Sequence, residues 1–150
     1  MDAEAQIEGF IAKFSGEVAP QIRAARVKMR ERLPGAVELV YDNYNALAIG
    51  YGANDKIGGI VFSIAAFPRW ISLFFNRGVD LDDPLGLLKG GGSQVRHIVL
   101  TDLSLLDRPE VRALMDQALA KADPPIDPSA ASRTLVKSVS ARQRPRRLTR

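Results

Sequence analysis

Three short apolar runs, with only turn-forming residues between them, constrain this chain more than any other feature. They are Ala46 to Tyr51, Gly59 to Phe67 and Arg69 to Asn76, punctuated by Gly52, Asn54, Asp55, Gly58 and Pro68. Runs of this length, rich in Ile, Val, Phe and Trp, have the pattern of consecutive strands in an antiparallel sheet. A fourth run, Val95 to Thr101, extends it. Alternation assigns Leu47, Ile49 and Tyr51, then Ile60, Phe62 and Ile64, then Ile71, Leu73 and Phe75 to one face, which is the expected core. The other face carries Ala46, Ala48 and Gly50, then Val61, Ser63 and Ala65, then Trp70, Ser72 and Phe74. Small residues beside two large aromatics leave two readings open: an ordinary packed or exposed sheet face, or a groove with Trp70 and Phe74 as one wall.

Helical sequence flanks the strands. Ile7, Phe10, Ile11 and Phe14 recur at helical spacing and predict a helix over about residues 3 to 14, stopped by Ser15 and Gly16. A second helix follows, with Pro20 in its first turn. Val18, Ile22, Ala25, Met29 and Leu33 form its apolar stripe, and Arg23, Arg26, Lys28, Arg30 and Arg32 its polar face. Pro34-Gly35 breaks it, and Ala36 to Tyr41 reads as one or two further helical turns. Asp83 before Pro84 predicts the cap of a short helix through Leu85, Leu87 and Leu88. The last helix opens at Arg108-Pro109-Glu110, capped by Asp107, with Val111, Leu114, Met115, Ala118 and Leu119 as its buried stripe.

No catalytic constellation emerges. The chain has no cysteine and one histidine, which excludes thiolate zinc sites and thiol catalysis and leaves His97 alone as an imidazole. General base work would need His97 beside an acid such as Asp102, and those two sit on opposite faces of one strand. Asp80, Asp82 and Asp83 lack the alternating ligands and closing glutamate of a calcium loop. Lys89-Gly90-Gly91-Gly92-Ser93 lacks phosphate-loop spacing, because a strand follows it where a helix is required.

The net charge of +4 hides an asymmetry, since seven of the 21 basic residues lie beyond Asp127, the last acid. Residues 1 to 132 therefore hold 14 basic against 17 acidic groups, a net of −3. Residues 1–128 read as the folded domain and 129–150 as a basic, solvated tail with too little apolar side chain to order it. Weak contact with nucleic acid or an acidic partner through Arg142, Arg144, Arg146 and Arg147 is the functional reading of that tail. The acidic start Met1-Asp2-Ala3-Glu4 does not resemble a signal peptide and no stretch approaches a membrane span, so a cytoplasmic protein without membrane contact is expected.

The stretch DLDDPLGLLKGGGSQVRHIVL, residues 80 to 100, resembles the YdhG-like family, a domain of unknown function found in many bacteria. The break Leu33-Pro34-Gly35 followed by Glu38 and Tyr41, the aromatic run Trp70 to Phe75 and the closing Ser138 to Arg147 are similar to it as well. The resemblance implies an α+β fold, a compact two-layer sandwich with an antiparallel sheet of four to five strands and helices on one face. Some members of that family have been likened to frataxins, iron chaperones that use an acidic ridge on the first helix. Glu4 and Glu8 are the residues here that such an iron role would use, though the first strand, Ala46 to Tyr51, adds no acid. The expectation is a non-catalytic binding or interaction domain without a cofactor. Its ligand or partner, a small molecule or a protein, would sit on the second sheet face around Tyr44, Trp70, Phe74, Arg96 and His97.

Overall fold

Asp2 caps the first helix by accepting from Ala5 N at 2.8 Å, and α1 (Ala3–Ile11) carries Ile7 and Ile11 into the core. The helix ends earlier than its apolar stripe, which continues through a turn to the buried Phe14. Ser15 Oγ accepts from Val18 N at 3.1 Å and starts α2 (Val18–Arg32), whose stripe Val18, Ile22, Ala25, Met29 and Leu33 is buried as the spacing predicts. In this computed structural model, which describes residues 2–148, the strands are β1 (Val37–Asp42), β2 (Leu47–Gly52), β3 (Ile60–Ala66), β4 (Ile71–Phe75), β5 (Arg96–Val99) and β6 (Arg133–Val139). The third helix, α3 (Pro109–Lys121), lies between β5 and β6 in the chain.

The sheet order is β5-β4-β3-β2-β1-β6, antiparallel throughout except for the parallel pair of β1 and β6. The fold is α+β as expected, with a larger and mixed sheet of six strands. The apolar stripes of all three helices join one cluster with Leu47, Ile49, Tyr51, Phe62, Ile64, Leu73, Phe75 and Ile98, so the helices cover a single face. Burying that many large side chains, each contributing about 1.5–3 kcal/mol, is what holds the layers together. No helix among the described residues is long and apolar enough to cross a membrane.

Four local expectations are corrected. Ala36 to Tyr41 is not helical: Val37–Asp42 is strand β1. Its alternation is disguised, because the side facing the helices holds Glu38 and Asp42, both buried. Ile60 leaves the core set and joins Val37 and Leu39 on the other face, where the β2–β3 register shifts at Tyr51 and Gly52. The helix expected after Pro84 is a turn. Gly86 adopts φ +63°, and the Asp83 carboxylate accepts from both Leu87 N and Leu88 N at 2.9 Å, so local side-chain bonding replaces helical bonding. Asp107 does not cap α3, whose N-cap residue is Arg108; its carboxylate meets Lys28 at 2.6 Å and Arg32 at 3.2 Å, tying α2 to the start of α3.

The largest correction concerns residues 129–150. Arg133–Val139 forms the edge strand β6, with Leu135 against the Val37–Leu39–Ile60 cluster and Val136 against the main core. An edge strand needs only one neighbour and half a layer of burial, so a composition poor in apolar residues suffices. Thr149 and Arg150, the end of the expected tail, lie outside the described residues.

Candidate functional site

Two rows of side chains define the face that no helix covers. Across the strands, Leu39, Gly50, Ser63, Phe74 and His97 stand in register, and next to them Tyr41, Ala48, Ala65, Ser72 and Val99. The second row is low between Tyr41 and Val99, whereas in the first only Ser63 stays low, because the Ile60 side chain lies over Gly50 and buries Leu39 beside it. Tyr41 on β1 and Val99 on β5 stand four strand spacings apart, about 19 Å, with Phe74 and His97 bordering the low ground of this trough on the β4–β5 side. Ala65 and Ser72 are buried without a helix above them, as small residues are between taller neighbours.

The five residues expected to share this face do not converge. Phe74 and His97 do meet: their rings stack at 5.1 Å between centroids and 26° between planes. Trp70 belongs to the β3–β4 turn, stacked on Phe67 at 4.8 Å and 43% exposed, near the end of the same trough. Arg96 pairs with Phe75 in the ladder and therefore stands on the helix side. Its guanidinium donates to Gly92 O at 2.6 Å and Val95 O at 2.8 Å, and its Cβ lies where any side chain at Gly78 would clash. Tyr44 lies in the β1–β2 turn under the Arg144 guanidinium, 5.6 Å from its ring. An anion on this face therefore finds neither Arg96 nor Arg144 opposite Phe74, and the surviving surface is aromatic and apolar.

The tail arginines bind the body of the protein itself. Arg146 is buried, and its Nη2 donates to Asp42 Oδ1 at 2.8 Å while Nη1 reaches Tyr44 O at 3.4 Å. Arg147 donates to Lys13 O at 3.2 Å and Ala12 O at 3.3 Å, occupying carbonyls at the end of α1. Arg142 is exposed and Arg144 stands over Tyr44, so the four do not form one free basic patch.

Glu4 and Glu8 are likewise engaged. Arg26 donates to Glu4 at 2.9 and 3.2 Å, Arg30 adds a contact at 3.4 Å, and Arg23 donates to Glu8 at 3.0 Å. The hydrogen bond from Arg26 holds the Glu4 carboxyl below its ordinary range. Carboxylates neutralised in this way are poor hard-oxygen ligands for iron. Among the described residues no group of three or more His, Asp or Glu side chains is placed to hold a metal ion.

No local pattern in the sequence signals the polar network around Glu38. Glu38, buried under α2, accepts from Arg26 Nε at 3.0 Å and Nη2 at 2.8 Å, from Tyr51 Oη at 2.7 Å and from Thr134 Oγ1 at 2.9 Å. Burial opposes the Glu38 charge, but the hydrogen bonds of Arg26 and Tyr51 outweigh it and its pKa falls below the ordinary value. Burial first, then the Glu38 charge, pushes the Tyr51 hydroxyl well above its own. The network joins α1, α2, β1, β2 and β6. Its side chains are mutually satisfied, so its task is cohesion.

The chain matches no protein-family model, no curated protein and no solved structure.

Proposed function

We propose that this protein is a non-catalytic binding domain of the YdhG-like type, and that its uncovered sheet face receives the flat or apolar surface of a ligand or partner. The observation that supports this reading is the low ground of Ala48, Ser63 and Ala65 between Tyr41 and Ile60 on one side and the Phe74–His97 stack on the other. Large apolar faces that a fold leaves open tend to mark interaction sites. The resemblance of residues 80 to 100 supports a bacterial setting.

Trp70 is the only tryptophan in the chain and serves as a reporter. Titration with anilinonaphthalene sulfonate, through its apolar aromatic rings, should quench it and shift the backbone amides of Ala48, Ser63 and Phe74. Phe74→Ala should weaken binding about tenfold, the equivalent of ~1.4 kcal/mol. Shifts confined to other surfaces, or equal binding by a folded Phe74→Ala variant, would reject the reading.

A further inference from the structure

A cavity of about 440 Å³ opens at the other end of the sheet, away from Trp70, between the start of β3, the turn after β4 and the end of α3. It is within the size range of small-ligand sites. Val61, Leu81 and Ala118 give it apolar surface, and Asn76 and Gln94 line it with carboxamides.

Its charges are balanced. Arg77 and Lys121 face it with Asp80 and Asp123. Arg77 spends its Nε on Asp80 Oδ2 at 2.7 Å, which leaves its two terminal nitrogens. Lys121 donates to Asp80 O at 2.9 Å, a neutral carbonyl, so that bond does not cancel the ammonium charge. Asp123 follows the C-terminal end of α3, where helix carbonyls add partial negative charge. A net anion entering here meets two carboxylates, and a net cation meets two bases. A ligand carrying both charges pairs with both sets. We propose that this cavity binds a small zwitterion with an apolar substituent, the chemistry of an α-amino acid or a short peptide: its carboxylate at Arg77 and Lys121, its ammonium toward Asp123, and its apolar part against Val61, Leu81 and Ala118.

The test is amide shift mapping on the isotope-labelled full chain with four probes at millimolar concentration: L-leucine, leucyl-leucine, N-acetyl-L-leucine and L-leucinamide. Saturable shifts at Gly59, Val61, Arg77 and Lys121 are expected from leucine or leucyl-leucine, and the tighter of the two identifies the source as free amino acid or peptide. N-acetyl-leucine lacks the ammonium and leucinamide the carboxylate, and each should bind about tenfold more weakly than leucine. Asp123→Asn should weaken leucine and leave N-acetyl-leucine unchanged, whereas Lys121→Gln should weaken leucine and leave leucinamide unchanged. Both positions are exposed, so neither variant threatens the fold. Equal binding of N-acetyl-leucine and leucine would make this a plain anion site, equal binding of leucinamide a plain cation site, and no shift at the lining amides no site for this chemistry. Any of the three overturns the proposal.

Discussion

Arg146 and Asp42 are 104 positions apart and meet at 2.8 Å with both side chains almost wholly buried. Their contact decides whether the carboxy-terminal segment is fold or appendage. Arg146→Ala leaves the Asp42 carboxylate buried with only Lys13 nearby, at 3.5 Å. Breaking a buried pair from one side costs about 3 kcal/mol, far more than the pair contributes over an apolar replacement. Urea denaturation of Arg146→Ala should show that loss, and the double variant Asp42→Asn, Arg146→Ala should recover part of it. A loss under about 0.5 kcal/mol is what a solvated arginine would give, and would sink the assignment.

The Glu38 network predicts stability that falls at both ends of the pH scale. Glu38 has its folded pKa lowered from 4.5, so its contribution is present above that value. As pH drops below it, the unfolded chain takes up the proton first and stability declines. Tyr51 has its pKa raised from 10.0, so the unfolded chain loses that proton first and stability declines above about pH 10. Tyr51→Phe should remove the alkaline decline attributable to this residue and lower stability at neutral pH by about 2 kcal/mol, as expected for a lost hydrogen bond to a charged group. Melting temperatures across pH, wild type against variant, check both; an unchanged alkaline limb would show that Tyr51 is not its source.

Gly35 predicts a backbone effect. It adopts φ +83°, and a Cβ there would overlap Asp127 O, which is main chain and cannot swing aside. Gly35→Ala should cost about 2–4 kcal/mol in chemical denaturation, from strain and overlap together. Gly91→Ala, where no atom lies within 4 Å, is the control and should stay within about 0.5 kcal/mol. Equal effects of the two would remove the case for a tight approach between residues 35 and 127.

The sequence was most legible where alternation and burial agree. Leu47, Ile49, Ile64, Leu73 and Phe75 announce core strands because apolar residues sit on the side that faces the helices. β1 inverts that cue: Glu38 and Asp42 face inward, each made tolerable by an arginine from a distant segment. Arg26 looked like polar-face sequence because its partners are Glu4 and Glu38, which no local pattern links to it. The trough was half legible, since the small residues and Phe74 stand where alternation put them while Arg96 faces the other way. The cavity was illegible, because stretches from Gly58 to Pro124 must meet before it exists.

The parallel pairing of β1 with β6 makes the first strand depend on the last one described. β1 comes early in synthesis, yet its outer edge, its Glu38 and its Asp42 wait for Thr134, Arg146 and the strand between them. A copy released before residue 133 keeps an open strand edge and an aspartate without its arginine, and an open edge invites pairing with other chains. Chains that stop short of β6 are therefore distinguishable from chains that carry it by stability alone.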